Sequence, residues 1–514
     1  MKAIFLLTAS LCATFMSFAQ NKCDFAEMKT ISELTKMNYA LKSFLVRTND
    51  EKHVLVVEKS NKLILQKIGN SGVEIEKEFS FKFEKIETFF LNAFAGKEQL
   101  YIFSGFMKDK ELSVCKTAIS LDNLEVSAKT EVINSFPCKE EYFDFADSDD
   151  NDGFQGFKII SSPDNNNHAL LFIDKLTSKD SILIDCWMYS SEMELQWKKN
   201  INKEHYEYYQ WTFYTDNFGN LQSINQERYH SLSPAGISES NYYLTSYLAN
   251  GNIVGPLQFA LPEGKIYDYK MDFPANGIVH VGGLYYNGTI VKQGLSEVIF
   301  RNGVYCLEID LFKNEITKSD QVEFDQSYIS SHNYNKQIGN GLLFINTKKI
   351  ITRDDGGVYV IAEFSVIYNE EAQFLDISTF SFDKSFDFEW IKNIRKDQKT
   401  ENGVTGYWMA AGSFLPLYVN ESLFIIYNDN INNLSISEYS TSVEKWKTKS
   451  SPDNIVCIAQ ISKSGDLQKY ILDQSICAKG QPFLSTAKIL SDKKSLYVLG
   501  HSSIAENHVL IQFE

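Results

Sequence analysis

Residues 368–398 read YNEEAQFLDISTFSFDKSFDFEWIKNIRKDQ. Leu375 to Phe382 reads as a strand, Asp383, Lys384 and Ser385 as a tight turn, and a returning strand ends at Trp390. Two apolar-rich runs joined by a short polar break are the signature of a β-hairpin. The pattern recurs without a gap in WMYSSEMELQWKKNI at 187–201. There Tyr189, Met193, Leu195, Trp197 and Ile201 fall on Phe382, Phe386, Phe388, Trp390 and Ile394. A third hairpin ends at Trp446 after a turn one residue shorter. The same hairpin at distant points of one chain predicts a repeat architecture.

Working outward, the chain divides into units made of an apolar strand, a gap and a hairpin closed by Gly, Asn, Asp or Ser. They begin at HVLVVEK (53–59), QLYIFSGF (99–106), HALLFIDKL (168–176), GNLQSINQE (219–227), GIVHVGGLYY (277–286), DDGGVYVIAEFSV (354–366) and SLFIIYNDN (422–430). An eighth fragment, SLYVLGHSS and HVLIQFE, ends the sequence without a second half. Residues 38–47 read as a lone strand, and 25–36 is the best helical candidate. Unit spacing exceeds the ~40–50 residues of WD40 and kelch repeats. Long loops are therefore expected at 139–166, 202–217, 229–241, 318–340 and 398–420.

DDGGVYVIAE, SFDKSFDFEW and LFIIYNDN resemble the repeat units of exported bacterial β-propeller proteins, many without assigned function. The resemblance implies architecture and carries no catalytic residues, because the WD40, kelch and Asp-box signatures do not occur. The expected fold is all-β: a β-propeller of about eight, alternatively seven, four-stranded blades, its ring closed by the N-terminal strand, over residues 37–514. The competing fold, two stacked β-sandwiches, would need a linker, and no Pro-, Gly- or Ser-rich break occurs.

Residues 1–19 read as a signal peptide: Lys2, the apolar run 3–18 and a small-x-small site at Ser17, Phe18 and Ala19. The apolar run is short for a membrane anchor. The mature chain would start at Gln20, with an N-terminal segment at 20–36, and export to the periplasm or the extracellular space is the expectation. A net charge of -16 argues against a nucleic-acid partner. Export would permit disulfides, and Cys115–Cys138 and Cys457–Cys477 are near enough in sequence. The alternative is buried free thiols.

No HExxH, GxSxG or P-loop motif occurs. Asp147, Asp149 and Asn151 lie in the densest oxygen cluster, DSDDNDG, a candidate calcium loop although its frame differs from an EF-hand. In EHYEYYQWTFY (204–214), Tyr206, Tyr208, Tyr209 and Trp211 are candidate ligand-stacking residues, with Tyr242, Tyr243, Tyr285 and Tyr286 as neighbours. The alternative buries these aromatics between blades. The Trp-ended hairpins are expected to pack between blades, and Asp354–Gly357 and Asn428–Asn430 to be turns. His280, in an apolar strand, is read as a satisfied core histidine. The expected function is a monomeric binding or scaffold protein presenting rim loops to a protein or glycan, without a required cofactor. The alternative is a polysaccharide hydrolase or lyase with carboxylates at the central funnel.

Overall fold

The computed structural model describes residues 23–513 with breaks at 36–41, 48–52, 139–155, 175–180, 205–208, 231–237, 333–340, 400–412, 439–441, 448–450, 474–480, 490–494 and 502–504, and shorter breaks of one or two residues. The described chain is nearly all β, and its strands form mostly four-stranded sheets that are antiparallel except for the pairing of Gln398–Lys399 with Trp446–Lys447.

Sheet 1 holds Lys42–Arg47, His53–Lys59, Lys62–Gly69 and Gly72–Ser80. Sheet 2 holds Phe89–Ala95, Gln99–Lys108, Glu111–Ser120 and Val126–Pro137. Sheet 3 holds Phe157–Ser161, Asn167–Asp174, Ser181–Ser190 and Leu195–Glu204. Sheet 4 holds Tyr209–Thr215, Leu221–His230, Ser238–Tyr247 and Ile253–Phe259. In sheet 5, Lys265–Ile266 and Lys270–Ala275 both pair with Ile278–Tyr286, followed by Gly303–Asp310 and Glu315–Glu323. Sheet 6 holds Ile345–Thr352, Val358–Tyr368, Glu371–Phe382 and Phe388–Ile394, extended by Gln398–Lys399 and Trp446–Lys447. Sheet 7 holds Phe414–Val419, Ser422–Asn430, Asn454–Ile461 and Leu467–Asp473. Sheet 8 joins Gln481–Ile489, Ser495–His501 and Ala505–Phe513 to Ala26–Thr35 from the start of the chain.

Each sheet packs face to face on the next, because its central strands are apolar on both faces. On Asn167–Asp174, Ala169, Leu171 and Ile173 enter the core shared with sheet 4, while Leu170 and Phe172 enter the core shared with sheet 2. On Val358–Tyr368, Val358, Val360 and Ala362 face sheet 5, and Tyr359 and Ile361 face sheet 7. Each such side chain contributes about 1.5–3 kcal/mol by leaving water. First strands touch between sheets 1 and 2, 3 and 4, 5 and 6, and 7 and 8. Serially stacked four-stranded antiparallel sheets are the blade construction of a β-propeller. Among the described residues, no helix is long and apolar enough to cross a membrane.

The two hairpins that open the sequence argument are equivalent in detail. Both carry a register shift, at Met188/Tyr189 and at Ser381/Phe382. Both turns are closed by the same pair of backbone bonds, Met193 N to Ser190 O with Ser190 N to Glu194 O, and Phe386 N to Asp383 O with Asp383 N to Asp387 O. Met193 and Phe386 both take positive φ, 60° and 74°, and Gly465 holds the same place in sheet 7. Their tryptophans reach the following sheet: Trp197 Nε1 donates to Gly219 O at 2.8 Å and Trp390 Nε1 to Lys463 O at 3.1 Å. Trp446 is buried on its short strand.

Several expectations are corrected. The stretch expected to be helical, 25–36, holds a strand instead: Ala26–Thr35 pairs with Ala505–Phe513, from Ala26↔Phe513 to Thr35↔Ala505. A register shift between Thr30 and Ser32 breaks the alternation, which leaves Met28, Ile31 and Leu34 at a three-residue spacing that imitates a helix. Lys42–Arg47 is not a lone strand but pairs with His53–Lys59. Strands Phe157–Ser161, Tyr209–Thr215 and Phe414–Val419 and a helix at Gln326–Ser331 (α1) occupy stretches expected to be loops. Cys115 and Cys457 are free buried thiols, so neither proposed disulfide forms. Both sit on strands enclosed between sheets, where a small apolar side chain packs well.

Candidate functional site

A cluster of buried ion pairs lies where sheet 6 meets the linkers to sheets 5 and 7. Helix α1 enters from sheet 5, capped by Asp325, whose carboxylate accepts from Tyr328 N at 2.7 Å. Segment 395–398 leaves the last strand of sheet 6 as Arg-Lys-Asp-Gln. Glu363 and Asp376 project from the second and third strands of this sheet, and both are fully buried. A charge in a strand that is buried on both faces has to be paired, or it costs several kcal/mol.

Each carboxylate is paired. Arg395 Nη1 binds Asp376, Arg395 Nη2 donates to Ser331 O at 2.7 Å, and Arg395 Nε donates to Glu438 O at 2.9 Å. One guanidinium thus ties sheet 6 to helix α1 and to the linker segment around 438. Lys396 Nζ lies 2.7 Å from Glu363 Oε1 and donates to Gln398 Oε1 at 2.7 Å. The other Glu363 oxygen accepts from Ser413 Oγ at 2.8 Å and stands 3.6 Å from Lys348 Nζ. Lys348, with its side chain 34 % exposed, is the member of this group that reaches the surface.

His332 stacks on Phe364 at 4.9 Å, its Nδ1 is 2.9 Å from Tyr328 O, and its Nε2 is 3.5 Å from Asp376 Oδ2. Burial lowers its pKa to about 4, outweighing the Asp376 charge. Burial also pulls the Lys396 ammonium down, against the opposing pull of Glu363. Across in sheet 7, burial raises Asp429 to about 7, opposed by the Asn433 amide that donates to it at 2.7 Å. Gln398 Nε2 donates to Asn428 O at 2.6 Å and joins the two sheets. Asn428–Asn430 is therefore not a turn but the buried end of strand Ser422–Asn430.

The residues singled out in the sequence lie elsewhere. Asp147, Asp149, Asn151, Tyr206 and Tyr208 fall outside the described residues, as does the side chain of Tyr209. Trp211 is 2 % exposed in the core between sheets 3 and 4, so it does not belong to a solvent-facing row. Its strand is buried on that face because sheet 3 packs against it. Tyr242, Tyr285 and Tyr286 are buried too, while Tyr243 is half-buried and donates to Glu227 at 3.2 Å. His280 is buried between Thr352 Oγ1 at 2.9 Å and Glu308 at 3.4 Å. Among the described residues no group of three or more His, Cys, Asp or Glu is placed to hold a metal ion. The signal for the ionic cluster was present in IAEFS and LDIST, single carboxylates inside apolar strands, and sequence reasoning passed over both.

No family model and no curated protein matches this chain. Solved structures similar to it include a prolyl endopeptidase, at 9% identity and a TM-score of 0.38 over 92% of this chain and 55% of that one. The chain thus spans about half of that enzyme's length. The polysaccharide lyase Uly1 is 12% identical with a TM-score of 0.40, over 84% of this chain and 94% of the lyase. The Nup133 β-propeller domain of Vanderwaltozyma polyspora is 9% identical with a TM-score of 0.37, over 96% of this chain and 99% of that one. Likenesses at this level bear on neither activity nor partner.

Proposed function

We propose that the protein is an exported, monomeric propeller of eight blades, its ring closed by Ala26–Thr35 on Ala505–Phe513, that serves as a binding or scaffold protein. Its rim loops meet a protein or glycan partner. What supports the reading is the state of the buried ionic cluster: Glu363 and Asp376 are buried and each is held by a cation, an arrangement that ties sheet 6 to its flanking segments rather than attacks a substrate. The test is a binding screen on the chain from Gln20, with glycans and exported proteins as ligands. Saturable binding that leaves the ligand intact supports the reading, and cleavage of the bound glycan sinks it.

A second reading, a polysaccharide hydrolase or lyase, draws on the His332–Asp376 pair and on an Asp429 carboxyl near neutral pKa. It expects new reducing or unsaturated ends that Asp376→Asn abolishes. Calcium at Asp147, Asp149 and Asn151 is a further proposal, tested by a calcium-induced thermal shift lost in Asp149→Ala. Export predicts a mature chain whose N-terminal sequence begins at Gln20.

A further inference from the structure

Arg301 sits between sheets 5 and 6, its backbone bridged to Leu342 by reciprocal bonds of 2.9 and 2.8 Å. It is 8 % exposed. Its guanidinium donates to Ile299 O at 2.9 Å and to the Tyr267 hydroxyl, lies 3.7 Å over the Tyr267 ring, and reaches Asn346 Oδ1 at 3.5 Å. Among the described residues, no carboxylate touches it and its Nε has no acceptor. The nearby Asp268 carboxylate is taken by Thr347 N and Oγ1 at 2.7 and 2.6 Å and by Leu284 N at 2.9 Å. A buried guanidinium without a contact counter-charge is costly, and its planar fork matches a carboxylate or sulfate.

Asn346 stands on the first strand of sheet 6 opposite Glu363, whose own cations are Lys348 and Lys396. Tyr267 and Asn346 are half-buried. Each uses an oxygen toward Arg301, which leaves the Tyr267 O–H and the Asn346 amide N–H groups as donors for a further acceptor.

We propose that Arg301, Tyr267 and Asn346 form a binding site for an oxyanion group, a carboxylate or sulfate, at the junction of the first strands of sheets 5 and 6. The biological use of the site rests on the binding reading above, and names an acidic group as what its partner presents. The site itself is tested with small ions.

The experiment is calorimetry on the whole mature chain at constant ionic strength with sodium sulfate, sodium glucuronate and neutral glucose. Saturable binding of sulfate or glucuronate, with none of glucose, is expected. Preference between the two identifies the group. Asn346→Ala and Tyr267→Phe are each expected to weaken binding by about tenfold, the loss of one charge-assisted hydrogen bond. Both lie partly at the surface, so circular dichroism should remain that of the parent. Arg301→Met is expected to abolish binding if it folds. No saturable binding, or binding unchanged in both surface variants, overturns the site. If a partner is found that binds Asn346→Ala and Tyr267→Phe as tightly as the parent, this inference fails while the binding reading stands. If the ions bind as expected and every partner screen is negative, the reverse holds.

Discussion

Lys396 Nζ stands 2.7 Å from Glu363 Oε1, and neither residue is exposed to solvent. The pair joins the second strand of sheet 6 to the segment that leaves the sheet, so its worth lies in linking two backbones. Removing one partner strands a buried charge. Glu363→Ala and Lys396→Met are each expected to lose about 3–5 kcal/mol in urea titrations. The double replacement Glu363→Leu with Lys396→Met is expected to recover most of that loss. Additive losses in the double variant would show that the two groups do not act as a pair.

Two buried groups give opposite pH dependences. Asp429 is raised from its usual 3.8 to about 7, so the folded state holds a proton that the unfolded chain releases. Its contribution is complete below about 3.8 and is lost as pH rises to about 7. Asp429→Asn is therefore expected to raise the Tm at pH 8 by a few degrees and to change little at pH 4. His332 is lowered from 6.5 to about 4, so its contribution is present above about 6.5 and is lost as pH falls toward 4. Replacing it with Gln should flatten the acid side of the Tm profile.

The tryptophan hairpins link successive sheets. Trp197→Phe and Trp390→Phe each remove one indole-to-carbonyl bond, worth about 1 kcal/mol. Gly465 lies against the Trp390 ring with φ +85°, and a Cβ there would approach the ring to about 3.0 Å. Gly465→Ala is expected to cost more than the removal of the Trp390 bond, at least about 1–2 kcal/mol from the left-handed backbone alone. Equal stability of Gly465→Ala and the parent in thermal melts would contradict the contact.

Cys115, Cys186, Cys306 and Cys457 are buried free thiols, and burial raises Cys115 to about 11 and Cys457 to about 12. A thiol-reactive dye is expected to leave all four unmodified in the native protein and to label them in denaturant. Dithiothreitol should not change the Tm.

Ala26–Thr35 covers one edge of Ala505–Phe513. A chain starting after residue 35 is expected to melt well below the parent and to aggregate, because an uncovered strand edge recruits other strands. Adding the 26–35 peptide in excess should restore part of the lost stability.

Much of the β architecture was legible in the sequence. The hairpins at 187–201 and 368–398 announced their own strands and turns, since alternation and turn chemistry act over a few neighbours. That Met193 and Phe386 share a left-handed backbone, and that the second strands are covered on both faces, came only with the structure. Ala26–Thr35 was not legible, because its conformation is imposed by a partner at the other end of the chain and its register shift disguises the alternation. The first strands Phe157–Ser161, Tyr209–Thr215 and Phe414–Val419 were hidden for a different reason: each follows a long linker and was read as part of it, although its partner is the next strand in sequence. For Trp211 the sequence left a solvent-facing row and burial between blades both open, and the packing of sheet 3 against its strand decided for burial. The ionic cluster was decided by tertiary structure alone. Its members come from helix α1, three strands of sheet 6 and the segment after them, and charge pairing depends on distance in space, which sequence spacing does not fix.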